Sequence, residues 1–291
     1  MAERKRRGGG RSARQAERQK PKTQTAPYIK RNIPVYNLLN EEGLSLIENN
    51  ADTILQEIGI DFRGDPEALE ILKDAGADVK EERVRFPKGM CQSLIRDTAP
   101  KEFIQHARNP ERNVVIGGEN LVLVPAYGSP FIRNVEEGRR YATIEDFRNF
   151  VKLAYLSPEL HHSGGTICEP VDLPVNKRHF DMVYTHMRYS DKPFMGSVTA
   201  PERAEDTVEM AKILFGADFI DNNTVITSLI NANSPMVWDS TMLGAMKAYS
   251  RNNQAVVVSP FCISGAMSPV TVAATSSQLY AEALSGMAFA Q

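Results

Sequence analysis

The residues able to do chemistry in this 291-residue chain gather after short runs of apolar or small residues. Five such run ends can be read: Pro125-Ala126-Tyr127-Gly128-Ser129, Gly164-Gly165-Thr166 leading to Cys168-Glu169, Gly196-Ser197-Val198, Asn231-Ala232-Asn233, and Pro260-Phe261-Cys262 leading to Ser264-Gly265. Tyr127 and Phe261, with Phe194 or Trp238, could form an aromatic wall that attracts an ammonium cation through the ring quadrupole. Ordinary core packing is the alternative for each ring. Glu169 could balance a quaternary nitrogen or act as a general base; standing before Pro170, it could equally lie in a solvated loop. His161, His162, Cys168 and Glu169 are zinc-ligand types, but adjacent histidines in an extended run point to opposite sides and no second His/Cys cluster completes the sphere, so no metal is expected. Cys262 has no His or Asn/Asp partner beside it and reads as an inert buried thiol.

The elements that must position these residues recur evenly. Runs begin near His161, Lys192, Asn223 and Gln254, at successive intervals of 31 residues. Helix-start signals follow them: Thr199 with Glu202 as a capping box around Pro201, then Ser234-Pro235, then Ser268-Pro269. An earlier helix opens at Thr143 to Asp146, carries Phe147, Phe150, Val151 and Ala154 on one face, and makes Leu121–Tyr127 the first strand. Strand, loop, capped helix and strand describe parallel strands joined by crossovers. The period suits a (β/α)8 TIM barrel of about 250 residues, whose chemistry lies at the C-terminal strand ends. Eight units counted from Leu121 would run to about residue 370, so the sequence predicts an α/β fold, a barrel truncated after about five βα units within the helix Ser268–Gln291. An open doubly wound sheet is the alternative, but no G-x-G-x-x-G follows any strand.

Residues 28–112 read as a helical N-terminal subdomain ahead of the incomplete barrel at 113–291. Asn40 can cap a helix carrying Leu44, Ile47, Ala51, Ile54, Leu55 and Ile58; Asp65-Pro66 starts a second that Gly76 ends; Pro87 begins a third. Val114–Ile116 and Leu121–Val124 read as a strand pair joined by Gly117-Gly118. Residues 1–27 read as a disordered basic tail: residues 1–22 hold nine Lys/Arg against two Glu, a balance of +7, so the rest of a chain of net charge −2 carries −9. Without aromatic residues for stacking, the tail is expected to be solvated rather than to bind nucleic acid. With no secretory h-region and no apolar run long enough to span a bilayer, a cytoplasmic protein without membrane contact is expected, and Cys91, Cys168 and Cys262 read as reduced thiols.

One stretch carries a family likeness. Ser264-Gly265-Ala266-Met267-Ser268-Pro269-Val270 and Leu284-Ser285-Gly286 through Ala290-Gln291 resemble the S-G-x-x-S-P-V and L-S-G-x-x-x-A-Q of the fifth βα unit in the trimethylamine methyltransferase family. Asn233-Ser234-Pro235, Tyr127-Gly128 and the LQEIGIDF segment at Leu55–Phe62 fit the same family, so the resemblance runs from about residue 35 to the end. It implies transfer of a methyl group from a methylated amine, trimethylamine or a quaternary amine such as a betaine, to the Co(I) corrinoid of a partner protein docked over the barrel mouth. No cofactor would be bound directly by this chain, and the full-length protein would be a homo-oligomer. Carried over residue by residue, Tyr127, Thr166, Ser197, Asn231 and Phe261 would line the substrate cavity, Glu169 would be the catalytic carboxylate, and Ser264 and Gly265 would lie on the corrinoid-facing loop. Enzymes of the family that use trimethylamine rely on a pyrrolysine whose position lies beyond this sequence, and this chain departs from them at Gly164-Gly165 and Gly196-Ser197-Val198. A TIM-barrel lyase or aldolase acting on a small carbonyl compound is the alternative enzyme, but no Lys sits at a run end, Lys192 lying at a run start. A non-catalytic fragment with a nucleic-acid-binding tail is the third reading. The 291-residue chain alone is expected to be inactive and aggregation-prone, because an unclosed barrel exposes strand edges.

Overall fold

A computed structural model describes residues 29–291; the tail read at residues 1–27 lies outside the described residues. β1 (Ile29–Lys30) leads to α1 (Glu41–Thr53), where Asn40 Oδ1 accepts from the Gly43 N–H at 2.9 Å and satisfies one of the orphan donors of the first turn. A π-helical turn (Ile54–Ile58) delivers the chain to β2 (Ile60–Arg63). α2 (Pro66–Asp74) starts as expected at Asp65, whose Oδ1 accepts from the Ala68 N–H at 3.1 Å. β3 (Asp78–Lys80), β4 (Arg83–Arg85) and α3 (Met90–Thr98) follow. The stretch read as helical therefore also carries strands. β2, β3 and β4 are three or four residues long and rich in charge, too short for alternation to register. A strand from much later in the chain, β12 (Val237–Asp239), completes their sheet in the order β12-β2-β4-β3.

β5 (Glu102–Gln105) pairs antiparallel with β6 (Val114–Gly117), whereas β7 (Asn120–Leu121) pairs with β1. The Gly117-Gly118 turn exists, with positive φ at both residues, but it sends its two strands to different partners instead of to each other. A hairpin of β8 (Phe131–Asn134) and β9 (Gly138–Tyr141) precedes α4 (Ile144–Leu156). That helix opens at Thr143 as expected, with a capping box of Thr143 and Asp146, and buries Phe147, Val151 and Ala154.

The remaining elements are α5 (Arg178–Tyr189), β10 (Phe194–Met195), α6 (Pro201–Phe215), α7 (Ala217–Asn222), β11 (Ile226–Ala232), α8 (Ser240–Ser250), β13 (Ala255–Pro260) and α9 (Val272–Ala290). β10, β11 and β13 form a parallel sheet in that order, in register from Phe194 opposite Ile226 to Ala232 opposite Pro260. The fold is thus mixed α/β, and three of the five expected parallel strands are laddered. The runs at Leu121–Tyr127 and His161–Thr166 are not ladder strands beyond Leu121, so the sheet does not record a five-strand arc. They run beside one another and beside β10 through separate bonds: His161 N to Leu123 O at 3.0 Å, Gly128 N to Thr166 O at 2.9 Å, and Ser163 N to Pro193 O at 2.8 Å. Pro125 has no N–H to give and Gly164 holds φ at 88°, and either interrupts a ladder.

Three expected helix starts lie elsewhere. Ser234-Pro235 is a cis peptide in a turn, and α8 is capped by Asp239, which accepts from Met242 N at 2.8 Å. α9 is capped by Thr271 rather than Ser268. α6 begins at Pro201 without a side-chain cap, and Thr199 Oγ1 instead accepts from Arg203 at 2.7 Å. Among the described residues no helix is long and apolar enough to cross a membrane.

The larger of two cores, running from Ala51 to Phe289, lies between the four-stranded and three-stranded sheets and their helices. α9 closes it. Its Glu282, fully buried, accepts from Ser234 Oγ at 2.5 Å and from Met236 N and Gln278 Nε2 at 2.9 Å each. One turn on, Ser285 Oγ accepts from Trp238 Nε1 at 3.0 Å. A Cβ at Gly286 would lie 2.3 Å from Trp238 Cζ2. Gly286→Ala should therefore destabilise by about 1–3 kcal/mol through overpacking, against the roughly 1 kcal/mol that alanine gains over glycine in an unconstrained helix. The urea midpoint reads the sign, and a rise would show that Trp238 yields.

Candidate active site

The candidate site lies at the C-terminal ends of β10, β11 and β13 and of the two extended segments beside them. Along β11, Ile226, Ile230 and Ala232 enter the core shared with the helices, which leaves Thr227, Leu229 and Asn231 on the opposite face. Tyr127 lies across that region. A Cβ on Gly165 would be 2.6 Å from both the Tyr127 ring and its hydroxyl, and 2.9 Å from Met195 Cβ, so the phenol rests on a strand segment that has no side chain to lift it. Burial pushes the Tyr127 phenol up to about 12, partly offset by a hydrogen bond with the Leu229 backbone. The residue as a whole stays 37% exposed; the hydroxyl end is enclosed while the side chain remains reachable.

The segment beneath Tyr127 is fixed by histidines. His186 Nε2 lies 2.9 Å from the Gly165 carbonyl oxygen, which can only accept, so Nε2 carries the proton. Nδ1 then accepts from Ser163 Oγ at 2.7 Å. His162 Nδ1 accepts from the Gly164 N–H at 2.8 Å, and His161 Nδ1 from the Leu123 N–H at 3.0 Å. The paired histidines that suggested zinc ligands are thus bonded to backbone. Among the described residues no group of three or more His, Cys, Asp or Glu converges on a metal position. Burial drives His162 down to about 3 and His186 down to about 4, so both are neutral near pH 7.

The neighbouring strand end is fixed from the other side. Tyr249, buried on α8, donates to Ser197 O at 2.5 Å, and a Cβ on Gly196 would stand 2.3 Å from that hydroxyl. Ser197 N donates to Thr207 Oγ1 at 3.4 Å. Thr166 and Ser197 are half-buried, and Asn231 and Phe261 are exposed at the ends of β11 and β13. Tyr127, Thr166, Ser197, Asn231 and Phe261 therefore share one end of neighbouring strands. Phe194 and Trp238, the other candidate rings, belong to the core.

Glu169 is not a free carboxylate: Arg178, at the start of α5, is ion-paired with it. Ser264 and Gly265 lie on an exposed loop tied to itself, Ser264 Oγ donating to Val270 O at 2.8 Å and Gly265 N to Ser268 O at 2.9 Å. Cys262 is half-buried rather than buried. Lys192 is buried with Nζ donating to Ala154 O at 2.8 Å and Ser157 O at 3.0 Å, the last carbonyls of α4, where a cation complements the helix dipole; it is a helix cap, not an open amine. A cavity of about 720 Å³ lies at the opposite end of the sheet, among Phe103, Thr224, Gln254, Val256 and Met287, and none of the site residues lines it.

Comparison with known proteins defines the family. Residues 7–291 match the model of the trimethylamine methyltransferase (MTTB) family, and the chain belongs to that family. It is 45% identical over 260 residues to the glycine betaine methyltransferase of Desulfitobacterium hafniense (strain Y51), covering 89% of this chain and 54% of the relative. It is 23% identical over 263 residues to the trimethylamine methyltransferase MttB of Methanosarcina thermophila, covering 88% and 54%. The crystal structure of the Methanosarcina barkeri monomethylamine methyltransferase is a looser likeness, with a TM-score of 0.46 at 14% identity over 82% of this chain and 55% of the other. The chain spans about half the length of the curated relatives it matches.

The two neutral histidines make stability depend on pH. Their folded values lie below the unfolded value of 6.5, so below pH 6.5 the unfolded chain binds more protons and stability falls as pH drops towards 4. Each ring should cost on the order of 1–2 kcal/mol between pH 6.5 and 5. Urea unfolding across that interval should show a shallower pH slope for His186→Gln than for the parent chain; equal slopes would refute the assignment.

Proposed function

We propose that the full-length protein moves a methyl group from a quaternary amine of the betaine type to the Co(I) corrinoid of a separate partner protein. The observation that carries this reading is the 45% identity to a protein named glycine betaine methyltransferase. In the reaction the N–CH3 bond breaks with its electron pair going to nitrogen, and the corrinoid metal supplies the pair for the new bond to carbon. From a quaternary amine the leaving group is a neutral tertiary amine, whereas unprotonated trimethylamine would have to expel an amide anion. A quaternary substrate therefore needs mainly orientation, desolvation and charge balance.

The residues at the strand ends suit those tasks. Tyr127 offers a ring face to the quaternary nitrogen, and Thr166, Ser197, Asn231 and Phe261 line the remainder of the cavity. For Glu169 to balance the nitrogen, the substrate must displace Arg178 from its carboxylate. Ser264 and Gly265 face the docked corrinoid protein. On the same reading the parallel sheet and the two extended segments are successive staves of a (β/α)8 barrel wall at residues 113–291, preceded by a subdomain at 28–112. The 31-residue interval and the hydrogen bonds between neighbouring segments support it. The assembled protein is a homo-oligomer.

Mixing the full-length protein with its corrinoid partner in the Co(I) state should bleach the Co(I) absorption on addition of glycine betaine but not of trimethylamine. A cation–π contact is worth about 0.5–2 kcal/mol, so Tyr127→Ala should raise KM roughly 3- to 30-fold while Tyr127→Phe keeps most of the affinity. An unchanged spectrum across a panel of quaternary amines and methylamines would overturn the reading.

A further inference from the structure

We infer that His186 is a positioning residue of the candidate site: through its hydrogen bond to the Gly165 carbonyl it sets the place of the Tyr127 ring. The inference rests on the proposed function only for what Tyr127 then does to a substrate.

Each link is present in the structure. His186 lies on α5, nine-tenths or more buried, outside the lining residues. Its imidazole is wedged between two other elements, 5.3 Å from the Phe147 ring of α4 in a T-shaped contact and 6.4 Å from the Phe194 ring of β10, stacked. The Gly165 carbonyl fixes the tautomer by accepting from Nε2–H, and Ser163 Oγ then donates to Nδ1. The peptide so held is the one that Tyr127 lies on, so near that a Cβ added at Gly165 would stand 2.6 Å from the ring. Its neighbour Gly164 is held as well, its N–H donating to His162 and its carbonyl accepting from Met195 N at 2.9 Å.

A glycine pair without these bonds would be free to rotate, because neither residue has a Cβ to restrict it. The bonds to β10 stop at Gly164, and the Gly165 carbonyl accepts from the backbone only at Ile167 N, two residues on, at 2.9 Å. The imidazole replaces the missing strand partner, and the phenol inherits the resulting position. His186 touches no substrate on this account; it acts through Gly165.

The test uses the full-length protein with 3-fluorotyrosine at position 127, read by fluorine NMR without any turnover. His186→Leu and Ser163→Ala should each shift or broaden that resonance. His186→Gln, whose amide N–H can reach the Gly165 carbonyl, should bring it back towards the parent position. In the methyl-transfer assay His186→Leu should raise KM for the quaternary amine several-fold with kcat within about twofold, since Tyr127 holds substrate in ground and transition states alike. An unmoved resonance in folded His186→Leu overturns the inference, and should that variant not fold, an unmoved resonance in Ser163→Ala does so. Absence of methyl transfer from the parent protein would count against the proposed function alone, because the resonance reports Tyr127 independently.

Discussion

A buried carboxylate organises this fold. Taking a charge out of water costs several kcal/mol unless hydrogen bonds replace the lost solvent, and Glu282 is fully buried with three donors and, among the described residues, no Lys or Arg ion pair. Two of those donors come from Ser234 and Met236, in the four-residue passage that carries the chain from β11 in the parallel sheet to β12 in the other sheet. Fixing that passage fixes how the two sheets meet. Trp238 follows it into the core, and its indole reaches Ser285 while its ring covers Gly286. The Asn233-Ser234-Pro235 and Leu284-Ser285-Gly286 segments that carry the family likeness are thus two halves of one joint, held together by packing and by a buried carboxylate.

The site end of the sheet obeys the same accounting of polar groups by a different route. Every buried N–H and C=O needs a partner, and where the ladder stops short, side chains supply it. His161, His162 and His186 serve the Leu121–Tyr127 and His161–Thr166 segments, while Tyr249 and Thr207 serve Ser197. Side-chain partners need less room than a flanking strand. That leaves space for a ring to lie flat across the segment, provided the residue beneath is glycine, as Gly165 is.

Local signals read from the sequence held where no neighbour competes for the task, as with the Asn40 and Asp65 caps and the helix start at Thr143. They failed where a second residue nearby competed for the task. Ser234-Pro235 and Ser268-Pro269 have the composition of helix starts, but Asp239 and Thr271 lie closer to the helices and take the cap. The even interval located β10, β11 and β13; it could not distinguish laddered strands from extended segments supported by side chains, because both are apolar and small. In the site, the exposed candidates Tyr127 and Phe261 and the core rings Phe194 and Trp238 look alike in sequence, and only packing separates them. Glu282 did carry a signal, being the lone charged residue in the 19-residue helix Val272–Ala290, a pattern that favours a buried and fully bonded carboxylate. His186 carried none, since its partner is a backbone carbonyl 21 residues away.

The electrostatics of the strand ends bear on which amine the proposed reaction takes. A free carboxylate beside the quaternary nitrogen would strengthen binding of any ammonium cation, but it would repel the carboxylate that a betaine carries on the same small molecule. Here Glu169 is already paired with Arg178, and the histidines beneath Tyr127 are neutral near pH 7. What remains facing a substrate at Tyr127 is a ring quadrupole, which attracts the ammonium at short range without presenting a net negative charge to the carboxylate. On the proposed reading, the ion pair at Glu169 therefore works in favour of a zwitterion over a simple cation, and a quaternary zwitterion also carries the better leaving group.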